Sequence, residues 1–192
     1  MTVEPFPQWL RPPPGGFVAE DLDRLPDLPP HTELIDGSLV FVSPQAQFHA
    51  LAVSMFETAL RRCAPSTVRI RREMTVTLDR NQRPEPAVIA VRADRAGGPA
   101  LTTYRADDVL LAVEVVSPES RTRDRERKPQ LYAKAGISHF WRVENADGRP
   151  VVYVYELDPA TGAYALTGIH HDRLRLTVPF ELEIDLTEID LL

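Results

Sequence analysis

The sequence is poor in several things, and each shortage closes off a class of protein. It holds one cysteine, Cys63, so an internal disulfide has no second partner and a reducing, cytoplasmic setting is the expectation. No apolar run approaches the roughly 20 residues that a membrane-spanning helix needs. The opening MTVEPFPQWLRPPPGG lacks a basic segment followed by an apolar one, so it does not read as a secretory leader. Gly97-Gly98 stands alone, without the spacing or the lysine of a phosphate-cradling loop. HExxH, GxSxG and paired cysteines are missing too, which removes the usual zinc-site and serine-nucleophile patterns. His170 and His171 are adjacent, and neighbouring strand residues face opposite sides, so they make a poor pair of ligands for one ion.

What is present suits one domain of ordinary globular composition. At 192 residues and 43% hydrophobic, the chain is long and apolar enough to bury a sizeable core. A net charge of −6 argues against a surface that is basic all over, as a dedicated nucleic-acid binder would show. The basic residues are nonetheless clustered. RRCAPSTVRIRRE holds five arginines, and SRTRDRERK holds Arg121, Arg123, Arg125, Arg127 and Lys128. Glu181, Glu183, Asp185, Glu188 and Asp190 make the tail acidic. A basic middle between acidic ends is compatible with a local phosphate-binding surface, although such charges more often form a solvated face.

Residues 1–16 read as a proline-rich arm and residues 17–192 as a single domain without internal repeats. FVAEDLDRLPD suggests a short helix stopped by Pro26. Asp36-Gly37 between two short apolar stretches predicts a hairpin. Phe48, Leu51, Ala52, Met55, Phe56, Ala59 and Leu60 recur at helical spacing, which predicts a helix over 45–63. Strands are expected at 68–78, 87–91 and 109–116, and a helix over 124–135 with Gly136 as its C-terminal cap. Pro129 is awkward in the interior of that helix. HFWRVE, VVYVYEL and YALTGI then read as consecutive strands joined by turns. The fold class is α/β (α+β): a mixed central sheet flanked by helices, with further strands toward the C-terminus. The apolar ribbon over 151–166 is a surface on which two copies could pair as a homodimer.

One residue breaks the most apolar strand. VLLAVEVV carries Glu114, and a carboxylate there is costly to bury without compensation. Lys128 follows on the next helix. A strand-end carboxylate with a nearby lysine suits oxygen-ligand chemistry with a hard cation such as Mg²⁺ or Mn²⁺ acting on a phosphoryl group. The same pair also arises from an ordinary strand end beside a solvated helix, and composition alone does not separate the two.

The segments ELIDGSLV, SPQAQFH, QRPEPAVIAV and LLAVEVVSPESRTRDRERKPQLYAKAGISHFWRVE resemble the Uma-type family of restriction-endonuclease-like proteins, of the PD-(D/E)XK nuclease-like superfamily. The resemblance runs over roughly residues 17–185. It implies a restriction-endonuclease-like sheet, divalent-metal hydrolysis of phosphodiesters, and DNA as partner. In its terms Glu114 is the acidic residue of the (D/E)XK element and a metal ligand. Val116 stands where the usual lysine would, and Lys128 is the displaced equivalent. Glu33 sits at the edge of the site, and His49 matches a histidine near the start of the first long helix. Arg121, Arg123, Arg125 and Arg127 would face phosphates. Tyr132, four residues after Lys128, falls on the same helix face and reads as a packing residue.

The chain departs from the pattern at position 87, where the family's metal-bridging aspartate is replaced by Ala87. A methyl group binds no cation. Glu85, two residues earlier, would point the same way in an extended segment and is the candidate substitute, offset by ~7 Å. The resulting expectation is a nuclease fold with impaired chemistry. Its rival is a catalytically silent DNA-binding or protein-interaction module.

Overall fold

Alternation of apolar residues along two central strands divides the interior into two halves, and this division sets the architecture of residues 7–192, the part of the chain that the computed structural model describes. In chain order the strands and helices are β1 (Glu33–Ile35), β2 (Ser38–Val40), α1 (Gln47–Cys63), β3 (Val68–Arg72), β4 (Thr75–Thr77), β5 (Val88–Arg92), β6 (Thr103–Arg105), β7 (Val109–Val115), α2 (Lys128–Lys134), β8 (His139–Ala146), β9 (Arg149–Asp158), β10 (Ala163–His170), β11 (Arg173–Leu176) and β12 (Leu182–Asp185). The main sheet runs β10-β9-β8-β7-β5-β3. Only β7 and β8 are parallel in it, and α2 lies in the crossover between them. A parallel pair needs such a crossover, whereas the antiparallel neighbours β8–β9 and β9–β10 close through short turns.

In β5, Val88 and Ala90 face one core while Ile89 and Val91 face the other. The first core is filled by α1, with Phe56 edge-on to Trp141 at 6.4 Å, and by β11 and β12. The second is filled by Tyr132, Ile137 and Phe140 beside α2. Phe140 and Trp141 are both fully buried on opposite faces, as neighbouring strand residues must be. Removing Phe56 or Trp141 to alanine would cost about 3–5 kcal/mol by the usual cavity penalty.

Where the observed elements differ from the sequence reading, local geometry gives the reason. The 68–78 stretch is two strands: Glu73 takes a φ of 49°, and β4 leaves the main sheet to pair in parallel with β6. FVAEDLDRLPD forms only a 3-10 turn, Ala19–Asp23. The predicted hairpin is β1–β2, with Ile35 opposite Ser38 and both turn residues at positive φ (Asp36 52°, Gly37 71°). Residues 1–6 of the expected arm lie outside the described residues. Its far end is docked, since the Phe17 amide donates to the Gly37 carbonyl at 2.8 Å. A β-carbon added at Gly16 would meet that same oxygen at 2.9 Å.

The Pro129 difficulty is resolved by a π-helical turn, Arg123–Arg127, that runs directly into α2. Pro129 then falls in the first turn of α2, where its missing N–H is tolerated. π-Turns are often found at functional sites. Gly136, at φ 82°, ends the helix as expected.

Candidate active site

Glu114 lies on β7 two residues after Ala112, so it shares Ala112's face and looks toward α2. It is fully enclosed there, and α2 supplies its partners. The Tyr132 hydroxyl donates to Glu114 Oε1 at 2.5 Å, and Lys128 Nζ lies 3.1 Å from the same oxygen. Lys128 Nζ is also 2.8 Å from Glu33 Oε1 and 3.2 Å from Asp124 Oδ1. All four of these charged residues are at most 4% exposed.

Each side chain is brought in by a different piece of the fold. Glu33 opens β1, and its Oε1 also accepts the Glu85 backbone N–H at 2.8 Å. The hairpin is held in place by paired backbone bonds between Leu34 and Arg83. Arg83 is buried and donates from both terminal nitrogens to Asp23, at 2.6 and 2.9 Å. Asp124 lies in the π-turn, one helical turn before Lys128, and its Oδ2 accepts from the Ser120 hydroxyl. Asp124, Lys128 and Tyr132 are successive i, i+4 positions on one side.

Charge and burial together set the protonation states. Burial, reinforced by Asp124 and Glu33, pushes the Glu114 carboxyl up to about 8 against the pull of Lys128. Burial alone would lower the Lys128 ammonium, but Glu114, Glu33 and Asp124 outweigh it and hold it charged well above the ordinary lysine range. Tyr132 is raised well above the usual phenol value by burial and then by the surrounding carboxyls, so it remains a neutral donor.

A cavity of about 470 Å³ opens over this cluster. Glu33, Glu114, Asp124, Lys128, Ala87 and Glu85 all reach its wall. His49 does too, in the first turn of α1, where burial lowers its imidazole below the usual value. Glu85 spends its carboxylate elsewhere, with Oε1 2.5 Å from His31 Nδ1. Glu114, Lys128 and Glu33 are therefore brought into direct contact, while Glu85 and His49 share the cavity without joining the cluster. Asp124 was not foreseen as a site residue. Its only sequence signal is the four-residue spacing to Lys128 within a charged run.

The arginines are more dispersed. Arg125 is paired with Glu144 at 2.5 Å, Arg127 with Asp36, and Arg123 with Glu119 at 2.7 Å. Arg123 also lines the main cavity. Arg121 is exposed, and no ion pair of it is found among the described residues; it borders a separate cavity of about 250 Å³.

The donor set does not suit a divalent cation as it stands. Three carboxyl oxygens converge on one point, and the Lys128 ammonium already occupies it. Ala87 presents a methyl group, and no oxygen ligand, to the cavity. Among the described residues, no group of three or more His, Cys, Asp or Glu side chains is arranged to hold a metal ion. The described helices include none long and apolar enough to cross a membrane.

The sheet order, the helix in the parallel crossover and the carboxylate–lysine cluster at the end of β7 define a nuclease-like α+β fold. Comparison with known structures agrees. A crystal structure of "a putative nuclease belonging to DUF820", from Anabaena variabilis ATCC 29413, superposes with a TM-score of 0.64 at 15% identity, over 90% of this chain and 97% of that one. The model of the Uma2 family, described as "Putative restriction endonuclease", matches residues 19–188, and the chain belongs to that family. A search of curated proteins finds no match.

Proposed function

We propose that this site descends from a phosphodiester-hydrolysing centre acting on DNA and that its hydrolytic output in this chain is strongly reduced. The observation that carries the reading is the seat of Lys128: three buried carboxyl groups at the end of β7 are spent on a lysine, beside a wall where Ala87 supplies no oxygen. The description of the family and the naming of the structural neighbour as a nuclease support the substrate class. The part the chain's own residues play is electrostatic. Lys128 and Arg123 stand on a cavity wall that also carries Glu33, Glu73, Glu85, Glu114, Glu119 and Asp124, so a phosphate entering there would depend on an added cation to offset the carboxyl charge. Mg²⁺ or Mn²⁺ would supply an activated water and charge neutralisation in a complete site of this kind.

The test compares the wild-type chain with Ala87→Asp, using Mn²⁺ titration calorimetry and cleavage of supercoiled plasmid. The expected result is little cleavage by the wild type, a gain of metal binding and nicking in Ala87→Asp, and loss of both in Ala87→Asp/Glu114→Ala. Efficient cleavage by the unmodified chain would show that another ligand has taken over and would defeat the reading. Metal-free DNA binding by both forms without cleavage would instead favour the silent binding module, for which Ala87 itself is the supporting observation.

A further inference from the structure

We infer that the free edge of β10 pairs with the β10 edge of a second copy of this chain, joining two main sheets into one across a two-fold axis. The inference is independent of the chemistry at Glu114. β10 is the outermost strand of the main sheet and is bonded to β9 alone. The amides and carbonyls along its other side therefore have no strand partner among the described residues. Such an edge is a template for another strand unless charge, proline or a bulge blunts it. The two edges of the sheet differ in this respect. β3, at the far side, carries Arg69, Arg71 and Arg72, and a second β3 laid against it would oppose arginine to arginine. β10 reads AYALTGIH, without Asp, Glu, Lys, Arg or Pro along its whole length.

The register of β10 shifts at a bulge on Thr167, and that bulge aligns its apolar side chains. Tyr164 and Leu166 stand opposite Leu157 and Tyr155 of β9, and after the extra residue Ile169 stands opposite Tyr153. Tyr153, Tyr155 and Leu157 alternate onto one face of β9, so Tyr164, Leu166 and Ile169 share that face. Tyr164 is held there, 5.5 Å from Phe140 between ring centres, and its hydroxyl donates to the Ile137 carbonyl at 2.7 Å. Leu166 and Ile169 remain 50% and 48% exposed. The first part of the apolar ribbon offers no such surface, because Val151, Val152 and Val154 are buried. A two-fold axis perpendicular to the sheet makes the two β10 strands antiparallel and keeps the same face of both copies on one side. Leu166 and Ile169 of each copy then meet those of the other in one apolar strip. Tyr153 flanks it, with the Arg142 guanidinium 4.4 Å from the ring centre. The occupant that fits is a second copy, since symmetry matches the two edges and no like charges are brought together.

The experiment is sedimentation equilibrium of the full chain at low and high micromolar concentration, in a reducing buffer that prevents a disulfide through Cys63. The wild type should pass from the mass of one chain to twice that mass as concentration rises. Leu166→Arg/Ile169→Arg should raise the dissociation constant by roughly tenfold or more, because it sets like charges across the axis. Both side chains are half exposed, so the variant should keep the wild-type circular dichroism. Amide exchange of the wild type gives a second reading that needs no variant. The amides of residues 163–170 that point away from β9 should exchange more slowly at the higher concentration, and those of β3 should not change. A wild type that is monomeric throughout, a dimer that the double variant leaves intact, or equal exchange of β10 at both concentrations would overturn the inference.

Discussion

Lys128 Nζ lies 2.8 Å from Glu33 Oε1, an ion pair that joins the first residue of α2 to the first residue of a hairpin outside the main sheet. Neither residue is more than 4% exposed, so the pair is largely withdrawn from water. Breaking a buried pair from one side typically costs about 3–5 kcal/mol, because the remaining charge is left uncompensated. Glu33→Gln should fall at the low end of that range, since Glu114 and Asp124 still face the lysine. Urea denaturation with an unchanged slope and a lower midpoint is the expected result.

The pH dependence of stability should carry the mark of Glu114. A carboxyl that keeps its proton up to about 8 in the folded chain, against 4.5 ordinarily, contributes stability at low pH that disappears as pH rises through that window. His31 and Glu85, both raised, act in the same direction, whereas His49 and His139, both lowered by burial, oppose it. The difference between wild type and Glu114→Gln isolates the glutamate. The wild-type melting temperature should drop relative to the variant's between pH 5 and 8, and parallel curves would contradict the assignment.

Tyr132→Phe removes the hydroxyl that donates to Glu114 at 2.5 Å and leaves the ring packed against Phe140, at 5.9 Å between centroids. Loss of one buried bond of this kind should cost about 1–3 kcal/mol. A double-mutant cycle with Glu114→Gln should show a coupling of about 0.5–3 kcal/mol, because the two act on one oxygen. Additive effects would mean that the hydroxyl serves only to fill space.

The arginines of the charged run should separate in a binding titration. Arg125 and Arg127 are already bound to Glu144 and Asp36, and Arg121 has no such pair among the described residues. Arg121→Ala should reduce the salt dependence of duplex binding by about one phosphate's worth, roughly 1 in the log–log slope. Arg125→Ala should alter it less and should cost under about 1 kcal/mol of stability, as exposed pairs do. Fluorescence anisotropy at stepped salt concentrations measures both, and equal slopes for the two variants would rule out this division.

Much of this arrangement was legible before the structure, for reasons particular to each residue. The spacing of Phe48 through Leu60 specifies α1, and Asp36-Gly37 specifies a turn that few other residue pairs accept. Glu114 stood out because a carboxyl inside an apolar strand demands a partner, and Lys128 is that partner. Contacts distant in sequence were not legible. Arg83 meets Asp23 sixty positions away, and nothing local marks Arg83 as buried. Tyr132 was read as a packing residue and does pack, but its hydroxyl also bonds Glu114, a role that depends on the three-dimensional meeting of helix and strand. The split of the 68–78 stretch turns on one backbone angle at Glu73, for which the residue type gives no warning.

The β1–β2 hairpin has a final consequence. It belongs to a two-stranded sheet of its own, yet it supplies a wall of the lysine's enclosure. The centre is thus completed by a separate hairpin rather than by the body of the sheet. Displacing that hairpin would take Glu33 from Lys128 and leave the ammonium to Glu114 and Asp124 alone.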